Sequence, residues 1–300
     1  MVNYSITSAN YRLVLQVLNL LKLRNIGRLV IFKMLVLVFV TYSIQNLRAQ
    51  ICKGSNTTFK SGEEVTYIVS YDWFVIWTEV GEITLSINES EFQNQPAYTF
   101  VGLGETYKSW DWIFKVRDRF ETVVDKNTLK PYSSCRDIKE GNYRQYDYYL
   151  YNFKDNEVIA RNKTNDKPMT IDTLPVTSCT FDIMSALLYA RNIDFSKHEI
   201  GDSIPITIIL DKESYPIYFR YQGIEDYKLK HIGVFECVKF SVMLIEGEMF
   251  HEGENMTVWA TNDKNHIVVY AESPILVGSV KVRLAEVKNN RYPFSSLKKR

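Results

Sequence analysis

Histidine, glycine, proline and cysteine are all scarce in this 300-residue chain: 4 His, 13 Gly, 8 Pro and 4 Cys. None of the histidines (His198, His231, His251, His266) stands in an HExxH or similar metal spacing, so no metal site is expected. The cysteines form no CxxC pair, which removes support for dithiol redox or zinc-ribbon chemistry. A GxSxG elbow, a P-loop and a GxGxxG turn are all missing. That leaves no motif for a nucleophilic hydrolase, a nucleotide hydrolase or a dinucleotide enzyme, and no cofactor is expected. Glycine and proline never cluster into a linker, no tract is of low complexity and no fixed-period repeat is visible. One domain is therefore expected over residues 50–300. Long apolar runs are lacking too: Leu29 to Val40, interrupted by Lys33, is too short to span a bilayer comfortably.

What the first 49 residues do contain is an address. They carry six basic residues (Arg12, Lys22, Arg24, Arg28, Lys33, Arg48) and no acidic ones. The apolar run Met34–Val40 follows, and Ala49 offers a small residue at a cleavage point. Basic flank, short apolar centre and small residue together read as a secretory signal over 1–49, with Met34 as a second candidate start. Cys52 follows Ala49-Gln50-Ile51, a poor match to a lipoprotein cleavage box. Without the leader, 30 basic residues face 35 acidic ones. A mildly acidic mature chain argues against nucleic-acid binding.

The mature chain alternates. Val65, Tyr67, Val69 and Tyr71 take every second place, as do Ile83, Leu85 and Ile87, and Ile204, Ile206, Ile208 and Leu210. So do Tyr215–Tyr221, Val238–Leu244 and Val280–Leu284. A period of two with polar partners marks strands with one buried face. Thr261-Asn262-Asp263-Lys264-Asn265 reads as a hairpin turn. A single stretch, residues 181–192, has helical spacing, with Asp182 near its start and Arg191 in its last turn, each suited to the helix dipole. Many short strands around one packing helix predict an all-β, mainly antiparallel fold: a curved sheet, half-barrel or barrel-like sandwich.

Aromatic residues are abundant: 20 Tyr, 16 Phe and 5 Trp. Trp73, Trp77, Trp110 and Trp112 lie in two nearby segments, and Tyr149 sits in a strand with aromatic groups on both faces. These five are the candidate ligand-binding residues, since rings line apolar cavities and stack on sugars. Filling a β-core is the competing role for each of them. Four cysteines in an exported chain allow three connectivities, among which sequence does not choose; Cys135 with Cys179 is the pairing favoured here, tying a strand end to the start of the helix. The acidic stretch Glu246–Glu254 reads as a solvated hairpin rather than a calcium loop.

Several stretches also occur in a telling order: Phe59–Tyr67, Leu129-Lys130-Pro131, the helix Phe181–Arg191, Val258–Asp263 and Gly278–Leu284. In this order they resemble DUF3108, a domain-of-unknown-function family of exported envelope proteins of Bacteroidota and other Gram-negative bacteria. The resemblance covers roughly residues 58–287. It implies a β-rich exported domain and supplies no catalytic residue to carry over.

The expectation is an exported periplasmic or envelope protein that is not an enzyme. It would bind an apolar or glycan ligand, or a partner protein, through a curved sheet. One rival is an assembly partner that pairs through a sheet edge; another is a glycan hydrolase using acidic residues.

Overall fold

The period-two pattern becomes strand after strand. The structure, a computed structural model, describes residues 52, 54–73, 76–244, 255–275 and 278–299; at 73, 76, 255 and 299 it describes the backbone alone. The candidate signal segment 1–49 and the acidic stretch 246–254 lie outside the described residues. In chain order the strands begin β1 (Glu63–Trp73), β2 (Ile76–Phe92), β3 (Gln95–Thr106), β4 (Arg117–Asp125) and β5 (Pro131–Glu140). Then come β6 (Tyr143–Asn152), β7 (Glu157–Thr164), β8 (Thr170–Pro175) and β9 (Thr180–Phe181). The helix α1 (Ile183–Arg191) and a 3-10 turn (Phe195–Lys197) follow. The chain returns through β10 (Ser203–Leu210), β11 (Glu213–Leu229), β12 (Gly233–Met243), β13 (Asn255–Thr261), β14 (Val268–Pro274), β15 (Ser279–Lys288) and β16 (Leu297–Lys299).

All belong to one sheet, within one compact unit of residues 51–300. Its order is β8-β7-β6-β5-β4-β3-β2-β1-β15-β14-β13-β12-β11-β10-β9, with β16 added on β12. Neighbours run antiparallel throughout, except that β9 lies parallel to β10. The two outer members of this path, β8 and β9, are not paired with each other, so the sheet is open. The tight β10–β11 turn reaches across that seam. Asp211 accepts hydrogen bonds from Arg136 of β5 and from Gln145 of β6, and the Lys212 ammonium lies 3.1 Å from Asp172 of β8.

α1 fills the curve of the sheet. Ala186 and Ala190 pack into a cluster with Phe181, Ile206, Phe219 and Phe240. Met184 and Leu188 pack into another with Phe59, Ile87, Phe100 and Leu129. Burial on two sides explains how a helix of nine residues persists when it would be marginal alone. The fit is close at Gly102, where an added Cβ would stand 3.0 Å from Met184 Cε and 3.1 Å from Leu85 Cδ2. The helix begins two residues later than the sequence pattern suggests: Phe181 is part of β9, and Asp182 is the N-cap. Its Oδ1 accepts from the Met184 N–H (2.9 Å) and the Ser185 N–H (3.1 Å), and the Asp182 N–H donates back to Ser185 Oγ (3.0 Å). Ile183, periodic with the buried positions, is exposed instead.

Antiparallel order sends the hairpin connections to two ends. The β2–β3, β4–β5, β6–β7, β11–β12 and β13–β14 connections leave at one, called the turn end; the β1–β2, β3–β4, β5–β6, β7–β8 and β10–β11 connections leave at the other, the loop end. The turn end is knitted by polar contacts. The buried Arg191 guanidinium, at the C-terminus of α1, holds buried Glu63 of β1 at 2.6 Å and donates to the Asn265 carbonyl at 3.0 Å. The Asn265 side chain in turn binds the Tyr292 N–H (2.9 Å) and carbonyl (2.9 Å). Asp263 accepts from Thr261 Oγ1 (2.9 Å), the Asn265 N–H (2.9 Å) and Ser296 Oγ (2.7 Å). The Thr261–Asn265 segment is therefore the turn its composition indicated, and it also anchors the helix end and the C-terminal segment.

The disulfide differs from the expected pairing. Cys179, just before β9, bonds to Cys52 across 127 residues of sequence, with Cα atoms 5.1 Å apart. Cys135 is a free thiol on β5, hydrogen-bonded to the Tyr146 hydroxyl, and burial raises its pKa. Cys179 does sit at the start of the helix, but the N-terminal segment, rather than β5, passes beside it. Cys237 is free and buried, its pKa pushed up to about 12 by burial.

Candidate functional site

The cavities beside the helix are small. Two cavities lie beside α1, each of about 10 Å³. Such a volume holds about one water molecule. One is lined by Glu63, Tyr67, Phe100, Leu187 and Arg191; the other by Ser134, Cys135, Arg136, Tyr149 and Asp182. Tyr149, expected among ligand-binding aromatics, is 2% exposed, and its hydroxyl accepts from Asn162 Nδ2 at 3.1 Å. It is a core residue, and burial raises its pKa.

The buried Asp147 and Asp182 carboxylates are likewise occupied. Asp147 accepts from Arg136 Nε (2.8 Å), Gln145 Nε2 (2.8 Å) and Asn162 Nδ2 (2.6 Å). Asp182 Oδ2 accepts from Thr122 Oγ1 (2.9 Å) and Ser185 Oγ (2.6 Å). Burial raises the Asp182 pKa, and these hydrogen bonds only partly offset that. Asp118 and Glu140 share a hydrogen bond away from both cavities, and burial raises both. Among the described residues no three His, Cys, Asp or Glu side chains converge on a metal position.

The loop end is different. Trp77, Trp110 and Trp112 all lie there, and the Trp73 backbone closes β1 beside them; the Trp73 side chain lies outside the described residues. So three of the five candidate aromatics share an end of the sheet, while Tyr149 is separate from them. The 107–116 connection is the main feature. Trp112 is 81% exposed, Ile113 55% and Phe114 52%, three consecutive apolar side chains in water. Trp77 is 58% exposed on β2. Trp110 is half-buried.

Local bonds hold this loop in one shape. Arg117 grips the Asp111 carboxylate through Nη1–Oδ1 (3.1 Å) and Nη2–Oδ2 (2.8 Å), and Thr106 Oγ1 donates to the same Oδ1 at 2.8 Å. The Thr106 hydroxyl and the Arg117 guanidinium hold the Asp111 carboxyl below the usual range. The Ile113 and Phe114 N–H groups donate to the Trp110 carbonyl at 2.9 and 3.1 Å. The Trp112 indole N–H donates to the Ser109 carbonyl at 2.8 Å. The Gly141 N–H donates to the Lys115 carbonyl at 2.8 Å, tying the loop to the β5–β6 turn. Sequence reasoning named Trp110 and Trp112 but not Ile113, Phe114, Asp111 or Arg117. The available signal was three successive apolar residues in a segment without strand alternation.

The DUF3108 family model, described as a protein of unknown function, matches residues 66–285. The chain belongs to the DUF3108 family. No curated protein matches it. Among solved structures it is similar to a β-barrel-like protein of domain of unknown function DUF1849 from Brucella abortus. That likeness has a TM-score of 0.52 and 10% identity, covering 79% of this chain and 100% of that one. It shows a shared fold. A putative lipoprotein from Parabacteroides distasonis aligns with a TM-score of 0.30 and 12% identity, over 78% of this chain and 100% of that one. The DUF3108 match runs from within β1 to within β15 and spans both the helix and the 107–116 loop. No helix among the described residues is long and apolar enough to cross a membrane.

Proposed function

We propose that this DUF3108 protein is an exported envelope protein that performs no catalysis and works by docking through its loop end. The observation that carries the reading is the Trp112-Ile113-Phe114 tip, apolar, exposed and held rigid by the Asp111–Arg117 clamp. Monomeric surfaces scatter apolar residues singly; contiguous ones mark interaction sites. Water-sized interior cavities favour a surface role over an enclosed ligand. The leader-like first 49 residues and the Cys52–Cys179 disulfide favour an oxidising compartment. The test is fractionation of a Gram-negative host expressing the full chain, joined to photo-crosslinking from position 114. The protein is expected in the envelope fraction, with crosslinks from position 114 and none from the turn-end position 127. Cytoplasmic retention, or equal crosslinking from both positions, would overturn the reading.

A second reading rests on β8. Ile171 on this outer strand is 65% exposed, and among the described residues no strand pairs its outer edge. An extended partner strand could add there. Ile171→Lys should abolish such an assembly; an unchanged assembly state in the variant counts against the edge.

A further inference from the structure

We infer that the Trp112-Ile113-Phe114 tip seats in the headgroup–acyl boundary of a lipid bilayer, with Lys108 and Lys115 on anionic headgroups. The inference rests on the reading of the loop end as the docking surface, and commits that surface to one occupant.

Three observations favour a bilayer over a protein groove. The first is charge. Lys108 and Lys115 flank the apolar residues, both are exposed, and among the described residues neither enters an ion pair. Apolar residues between basic ones match the layering of an anionic membrane surface. The second is hydrogen bonding. Polar groups carried into hydrocarbon without partners are costly. Here the Trp112 indole N–H and the Ile113 and Phe114 amide N–H groups already donate to carbonyls within the loop, as described above. The most exposed ring of the tip therefore enters an apolar medium with its donor satisfied. The third is size. A stable protein interface buries about 800 Å² on each partner. Three side chains, two of them aromatic at about 150–250 Å² each, fall short of that. Exposed Trp77 at the same end adds an amphipathic ring of the kind that settles at membrane interfaces.

The experiment is flotation of the protein, purified from an exporting host, with vesicles of phosphatidylcholine alone or mixed with phosphatidylglycerol. The parent should float with the mixed vesicles and less with the neutral ones. The variant W112S/I113S/F114S should bind at least about tenfold more weakly at an unchanged melting temperature. K108E/K115E should lose about tenfold on mixed vesicles and little on neutral ones. Brominated acyl chains should quench the parent emission more than that of W112Y. A parent that does not float, or a triple variant that floats equally well, overturns the inference. In either case, crosslinking of one stoichiometric protein from position 114 would keep the docking reading with a protein as its occupant. With neither vesicle binding nor a crosslinked protein, both readings fall.

Discussion

The two ends of the sheet solve opposite problems. At the turn end, charged and polar groups are taken out of water and satisfied by one another: Arg191 by Glu63 and the Asn265 carbonyl, Asp263 by Thr261, Asn265 and Ser296. At the loop end, apolar groups are put into water and held there by a polar clamp beneath them: Asp111 with Arg117 and Thr106. Buried polar networks fix a structure because each member left alone is expensive. Exposed apolar side chains stabilise nothing inside the molecule, so their rigid presentation needs an external reason. On the proposed function, docking falls to the loop end and the helix is anchored at the turn end.

The strongest way to break the comparison is at the turn end. Arg191→Leu strands the Glu63 carboxylate in the interior and should cost about 3–5 kcal/mol, read by urea unfolding. The double change Glu63→Leu with Arg191→Leu should recover much of that, because an apolar pair replaces an ion pair without an orphan charge. A loss below about 1 kcal/mol for the single variant would show that water reaches the pair. Next is the disulfide. Closing a loop across 127 residues constrains the unfolded chain, and Cys52→Ser with Cys179→Ser should cost about 2–4 kcal/mol. Reductant should reproduce the loss in the parent and leave the double variant unmoved.

The same contrast explains how much was legible in the sequence. Period-two alternation encodes which face of a strand is wet, so the all-β, mainly antiparallel class and the helix near 181–192 could be read directly. The Thr261–Asn265 turn could be read from composition, but not its contacts with Arg191, Tyr292 and Ser296, which join residues far apart in sequence. The Cys52–Cys179 pairing was hidden for the same reason: it depends on where the chain path crosses itself. Tyr149 and Trp112 belong to one residue class of strand-forming aromatics, yet one is 2% and the other 81% exposed. Propensity does not distinguish core from tip; the antiparallel order of the strands does.

Smaller effects sharpen the contrast. Asp182→Ala removes the helix cap: the Met184 and Ser185 N–H groups lose their acceptor, and the Thr122 and Ser185 hydroxyls keep only the Ser133 and residue-182 carbonyls at 3.2 Å, for a cost of about 2 kcal/mol. Asp182→Asn keeps an acceptor and should cost less in the same thermal melt. The Asp118–Glu140 pair gives a pH signature. Burial raises both carboxyls, and the Asp118 charge raises Glu140 further. A raised folded-state pKa means that the pair's contribution is present at low pH and is lost as pH rises through the raised values, above the ordinary 3.8 and 4.5. The urea midpoint of Glu140→Gln should therefore fall less over that interval than the parent's; parallel curves would show that the pair is not linked to folding.

The smallest expected change in stability is the one the comparison most depends on. Among the described residues, Trp112, Ile113 and Phe114 are three consecutive exposed apolar side chains at the loop end, and a tally of hydrophobic residues would count them as core. Their exposure implies the reverse. Water covers most of Trp112 and about half of Ile113 and Phe114, and none of the three belongs to a core cluster, so replacing all three by serine opens no core cavity. The Asp111–Arg117 clamp and the loop's backbone hydrogen bonds involve none of the three side chains, except through the Trp112 indole N–H. Stability measured by urea unfolding should stay within about 0.5 kcal/mol of the parent, the range for ordinary surface positions. A loss of about 2 kcal/mol or more would mean that the tip folds down over the sheet as a lid on the core. The loop end would then be a second stabilising region rather than a docking one.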